Sequence, residues 1–121
     1  MAWCVELHPR FAKELAKLGI VVQDEIFALA KALQHLGPHM KRPRSDTLNG
    51  SKHRNMKELR FDADGGVWRV AYAFDPERKA ILLVAGDKFG GSQKRFYRSL
   101  IDQADERFDE HLANPKRVTR K

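Results

Sequence analysis

Two arginines stand at matching positions of neighbouring apolar stretches, Arg60 in Glu58-Leu59-Arg60-Phe61 and Arg69 in Val67-Trp68-Arg69-Val70-Ala71-Tyr72-Ala73-Phe74. Successive side chains of an extended chain point to opposite faces. Leu59 and Phe61 therefore share one face and Glu58 and Arg60 the other. Trp68, Val70, Tyr72 and Phe74 likewise oppose Val67, Arg69 and Ala71. If the aromatic faces meet helices, Glu58, Arg60 and Arg69 gather on the opposite face, away from the core. There two guanidiniums can grip phosphate oxygens through paired hydrogen bonds. The same residues also fit an Arg–Glu ladder that only neutralises a solvated sheet.

Further basic groups border this face: Lys52, His53 and Arg54 in the preceding loop, Lys57 within the first strand, and Lys88 after a later one. His53 alone among them has an unperturbed pKa near neutrality, which suits it to proton transfer, although a loop histidine is as readily just solvated. Gly90-Gly91-Ser92-Gln93-Lys94-Arg95 opens a helix, where free backbone N–H groups and two cations make a phosphate seat. It is not a Walker A loop. Tyr97 follows one turn later and either projects its hydroxyl toward the sheet, stacks on a base, or is a half-buried helix aromatic. Asp102, Asp105, Glu106, Asp109 and Glu110 read as the solvated face of the same helix. No His/Cys/carboxylate spacing resembles a structural zinc site, so no metal or other cofactor is assigned.

These groups need a scaffold, and 121 residues suit one domain, read as residues 1–115 with a frayed basic tail at 116–121. Alternation at Trp3, Val5 and Leu7 predicts a first strand. Phe11, Leu15 and Leu18 predict a helix of about three turns from Pro9 to Gly19, and Val22, Ile26, Leu29, Leu33 and Leu36 a second over 21–36. Residues 38–55 read as a long irregular connection. Three strands follow at about 56–62, 67–75 and 79–86, with turns at Asp64-Gly65-Gly66 and Asp75-Pro76-Glu77. The last strand is apolar throughout from Ala80 to Ala85, as in a central strand covered on both faces. Phe96, Leu100, Ala104, Phe108 and Leu112 then mark a helix over 93–112 that packs on the sheet's aromatic face. The predicted order is βααβββα, an α+β domain whose antiparallel sheet is packed by helices.

Charge narrows the partners. The net charge is +7, yet residues 41–60 alone carry +5 and residues 116–121 carry +4, leaving −2 for the rest. Such concentration marks a surface for polyanion, although a membrane surface or acidic protein can use it too. The single cysteine, Cys4, excludes a disulfide framework and reads as a small buried hydrophobe. With no membrane-length apolar run and no signal-peptide pattern, a cytoplasmic protein without membrane attachment is expected.

Taken together, Trp3-x-Val5-Glu6, Leu48-x-Gly50, Glu58-Leu59-Arg60-Phe61, Trp68-Arg69-Val70-x-Tyr72-Ala73-Phe74-Asp75, Ile81-Leu82-Leu83 and Lys88-Phe89 with its basic, Gln-containing sequel resemble the RelE/HigB-like toxin superfamily, in its phage-derived Gp49-like branch. The resemblance runs over about residues 2–112. It implies a type II toxin, held by a cognate antitoxin of helix-turn-helix type, that cleaves mRNA on the ribosome by metal-independent attack of a ribose 2′-hydroxyl. It further implies Arg69 at the scissile phosphate, Arg60 and Lys88 supporting charge, and Tyr97 near the reacting bond. His53 or Lys57 would serve in proton transfer, and Lys52, Arg54, Lys94 and Arg95 would hold RNA backbone. The chain departs from the pattern at Lys88-Phe-Gly-Gly-Ser-Gln-Lys-Arg, where some relatives carry denser lysines, and at Glu58, where some carry a basic residue. Two other readings remain: a ParE-like inhibitor of DNA gyrase, and a non-catalytic RNA-binding module or phage remnant.

Overall fold

The computed structural model describes residues 2–114. The tail read at 116–121 lies outside the described residues. The elements run β1 (Cys4–Leu7), α1 (Pro9–Leu15), α2 (Ile20–Leu36), β2 (Ser45–Thr47), β3 (Lys57–Ala63), β4 (Gly66–Phe74), β5 (Lys79–Asp87) and α3 (Gln93–Ala113), with a single 3₁₀ turn at Gly37–His39. The sheet order is β1-β5-β4-β3-β2. β1 lies parallel to β5 and the other neighbours are antiparallel, so the sheet is mixed.

Most of the predicted order stands, and the differences have local causes. α1 stops at Leu15 because Lys17 N and Leu18 N bond to the carbonyls of Glu14 and Leu15, a tight turn rather than a third helical turn. The irregular connection contains β2, only three residues long and without apolar alternation, which is why periodicity misses it. What fixes β2 is tertiary: Ser45 Oγ and Tyr72 Oη share a buried hydrogen bond of 2.6 Å. Cys4 is exposed, not buried, since it opens an edge strand on the face opposite Val5 and Leu7. Leu36 and Leu112, at the ends of their stripes, are exposed as well.

The largest correction concerns which helix covers which face. Leu59, Val70, Tyr72, Ala80 and Leu82 pack with Phe11, Leu15, Val22, Ile26, Leu29 and Leu33, so α1 and α2 cover the aromatic face. Ala71, Ala73, Ile81, Leu83 and Val84 pack with Leu100, Ala104 and Phe108 of α3. The helix expected on the aromatic face thus lies on the face of Arg69 and Glu58. The doubly apolar β5 demands this arrangement, because every residue from Ala80 to Val84 is buried and one helical layer cannot cover two faces. A register shift between Ala71 and Tyr72 places Leu83 and Val84, consecutive in sequence, against the same α3 core.

Gly37 closes α2 at φ 54° and ψ −134°, and a Cβ there would overlap the Trp3 indole. Glycine is the residue that tolerates such a backbone. Replacing Gly37 by Ala combines strain with a clash and is expected to cost about 2 kcal/mol or more. A urea denaturation midpoint, followed by circular dichroism, measures the loss.

Candidate nucleic-acid cleft

α3 ends its cover of the sheet near Tyr97, and the cationic residues collect beyond it. Arg60 and Arg69 are directly paired across β3 and β4. Like charges so placed repel, and the fold offsets them with acids on both sides. Asp46 Oδ2 lies 3.5 Å from Arg60 Nη1 and 2.7 Å from Arg42 Nη2. Glu58 Oε1 lies 3.8 Å from Arg69 Nε. Tyr97 links the two sides, donating to Glu58 Oε1 at 2.9 Å and accepting from Arg69 Nε at 3.2 Å.

Arg69 was expected on an open face, yet it is only 5% exposed. Its Nη1 donates to the Trp68 carbonyl at 2.9 Å, while Nη2 bonds no other described residue and Arg69 lines a cleft of about 430 Å³ with Pro43, Arg60, Val67 and Lys88. A second cleft, about 300 Å³, is lined by Asp46, Asn49, Glu58, Gln93 and Tyr97. Arg60 and Lys88 line both. Lys88 Nζ donates to Gln93 Oε1 at 3.4 Å and stands 5.7 Å from the Tyr97 ring centroid.

Burial and charge tune these groups in opposite directions. Burial raises the Glu58 carboxyl above the usual range, outweighing the hydrogen bond from Tyr97 and the Arg69 charge. Burial, then the charges of Arg69 and Arg60, lower the Lys88 ammonium. Burial also raises the Tyr97 hydroxyl. The cleft therefore holds a carboxylate of strengthened basicity and an ammonium of strengthened acidity beside two arginines.

The other predicted residues lie elsewhere. His53 Nε2 bonds Asp109 Oδ1 at 2.8 Å and its ring packs edge-on against Phe108. Twelve residues of α3, about 18 Å at 1.5 Å each, separate Asp109 from Tyr97. Lys52 pairs with the same Asp109 at 2.5 Å. Lys57 belongs to the cleft-facing strand but shares the parity of Leu59, so alternation turns it to the other face, where it lines a groove with Met40 and Ser45. Lys94 and Arg95 are exposed on the first turn of α3, where Ser92 Oγ caps Arg95 N, and Arg54 is exposed in its loop. The acids of α3 are not simply solvated: Asp105 accepts from Ser51, Asp109 holds Lys52 and His53, and Glu106 and Glu110 hold Arg10.

Sequence reasoning missed Asp46, Asn49 and Gln93 as cleft residues. Asp46 and Asn49 depend on β2, which carries no periodic signal. Glu58 was visible as the acid alternating with Arg60, but its burial was not.

Fold and cleft together define a RelE-like α+β domain with a cationic cleft beside its last helix. The fold matches an Escherichia coli RelE toxin mutant in the free state, with a TM-score of 0.59 at 16% identity, covering 84% of this chain and 96% of that one. It also matches the archaeal RelE–RelB complex from Pyrococcus horikoshii OT3, with a TM-score of 0.54 at 18% identity, covering 75% and 100%. Residues 13–109 match the phage-derived Gp49-like proteins. The chain is 45% identical over 127 aligned positions to a Mycobacterium tuberculosis (strain ATCC 25618 / H37Rv) protein named as toxin HigB2, and spans 62% of that relative's length. It is 46% identical over 82 residues to one named as toxin HigB3 of the same organism, covering 68% of this chain and 69% of that relative. The chain belongs to the family of phage-derived Gp49-like proteins. No helix among the described residues is long and apolar enough to cross a membrane.

Burial of the Glu58 carboxyl makes stability depend on pH. A folded pKa above the unfolded value means that folding favours the protonated acid, so the burden on stability appears as pH rises above about 4.3, the ordinary glutamate value. Glu58→Gln keeps an acceptor for Tyr97 and removes the buried charge. It is expected to raise the melting temperature at pH 7, with the gain shrinking toward pH 4, in a paired melting series.

Proposed function

We propose that this protein is the toxin of a type II toxin–antitoxin pair and acts as a ribosome-dependent endoribonuclease that needs no metal ion. The observation that carries the proposal is the joining of Arg60, Arg69 and Lys88 to Glu58 and Tyr97 around one pair of clefts. The HigB names of the sequence relatives support the toxin reading. A RelE–RelB complex among the fold relatives supports an antitoxin partner, and we propose one of helix-turn-helix type. Ribosomal action would place the protein in the cytoplasm.

In this reading a ribose 2′-oxygen attacks the adjacent phosphorus while Glu58 accepts its proton. The bond to the 5′-oxygen breaks as Lys88 protonates that leaving group, giving a 2′,3′-cyclic phosphate and a free 5′-hydroxyl. Arg60 and the unbonded Nη2 of Arg69 offset the charge that builds on the phosphate oxygens, the role fixed donors fill best. Tyr97, tied to both Glu58 and Arg69, holds the base in register. The proton-transfer role moves from His53 and Lys57, which face away, to Glu58 and Lys88. Arg54, Lys94 and Arg95 keep a role as backbone contacts, while Lys52 would first have to leave Asp109.

The test is induced expression with mapping of mRNA 5′ ends, then cleavage on ribosomes. Arg69→Ala is expected to lower the rate about a hundredfold to a thousandfold, with Arg69→Lys rescuing only part, because an ammonium lacks the fork. Circular dichroism controls for folding. Wild-type rates in a folded Arg69→Ala protein would remove that residue from the chemistry. Growth arrest with inhibited supercoiling and intact mRNA would favour the gyrase reading.

A further inference from the structure

Phe89 is the most exposed large apolar residue described, at 71%. Its ring is open but its backbone is fixed. Asp87 Oδ1 accepts from both Phe89 N and Val67 N at 2.9 Å, and Lys88 N bonds the Val67 carbonyl at 2.8 Å. The turn that carries Phe89 is thereby stapled to the start of β4, and its neighbours Lys88 and Val67 line the cleft with Arg60 and Arg69. After it, Gly90 and Gly91 both take positive φ, and a Cβ on either would meet open space.

A phenyl ring left 71% exposed forgoes the stabilisation of burial. An aromatic face presented beside three cations is what single-stranded nucleic acid needs, since bases stack on rings while cations track phosphates. We propose that Phe89 is the stacking platform for a nucleobase next to the phosphate held by Arg60, Arg69 and Lys88, so that the Lys88-Phe89 turn binds phosphate and base together. This rests on the ribonuclease reading for the identity of the phosphate. An apolar contact for a protein partner makes different demands, because any bulky aliphatic side chain would serve it.

The experiment compares wild type with Phe89→Ala, Phe89→Leu and Phe89→Trp. Binding is read by fluorescence anisotropy of an end-labelled pool of 2′-O-methyl RNA hexamers, which cannot be cleaved by 2′-attack. Cleavage on ribosomes is read as KM and kcat separately. Because the side chain is exposed, all four proteins should melt alike. Ala and Leu are each expected to weaken hexamer binding about tenfold and to raise KM with little change in kcat, and Trp to restore both. Unchanged binding in Phe89→Ala, or full function in Phe89→Leu, would overturn the platform, the latter pointing to protein docking instead. Ring-dependent binding without any wild-type cleavage would keep the platform and remove the ribonuclease reading. Cleavage indifferent to the ring would do the reverse, and absence of both would remove both.

Discussion

The architecture depends on one strand that tolerates water on neither face. β5 is buried from Ala80 to Val84, and its bulge turns both Leu83 and Val84 to α3. Once α1 and α2 cover one side, α3 must cover the other, and Gly86 lets it come close, since a Cβ there would meet the Phe96 ring at 2.8 Å. Gly86 is paired with Arg69 in the β4–β5 register. The close approach that seals the core is thus the same approach that brings Tyr97 onto Arg69 and Glu58. Hydrophobic demand along β5 builds the polar constellation as a by-product, and the cleft begins where α3 runs out of sheet to cover.

That origin explains what could be read from residues alone. Strand alternation at 58–61 and 67–74 put Glu58, Arg60 and Arg69 on one face correctly, because period two is a property of the backbone and not of the neighbours. Which layer would cover that face was not local information. The Phe96/Leu100/Phe108 stripe fits either side of a sheet, and only the continuous apolar run of β5 carried the hint that both sides needed a helix. Lys57 could have been excluded by the same alternation that assigned Leu59. His53 could not, since its tie to Asp109 joins residues 56 apart in sequence. β2 was invisible for a different reason: three residues, Ser45-Asp46-Thr47, have no periodicity to show, and a Tyr72 hydroxyl fixes them.

The cleft also runs against stability. A directly paired Arg60–Arg69, a carboxyl buried against its preference and an ammonium pushed toward release are each unfavourable in isolation. They are made tolerable by Asp46, Tyr97 and the Trp68 carbonyl, which hold the groups in place without neutralising the whole. In the proposed chemistry, groups so displaced from their ordinary protonation energies would be the ones to exchange protons, and a rigid sheet would spare them reorganisation.

α3 extends the same conflict along its length. Its first turn carries no acid, and Lys94, Arg95 and Arg98 crowd the end where the helix dipole is positive. Asp102, Asp105, Glu106, Asp109 and Glu110 crowd the half where it is negative. Lys94 and Arg95 in the first turn and Glu110 in the last oppose the dipole and cost helix stability. The sheet, the loop and α1 make up the difference: Arg107 holds Glu14 at 2.6 and 2.8 Å and the Leu83 carbonyl at 2.9 Å, His111 meets Asp75 at 2.7 Å, and Asp109 and Glu110 bind His53, Lys52, His8 and Arg10. Those ties anchor the helix at its acidic end and consume the acids in doing so. The basic end stays beside the cleft with few acids to dilute its field. A helix charged against its own dipole breaks a local preference, and the tertiary ties of Arg107, Asp109, Glu110 and His111 hold it in place nonetheless.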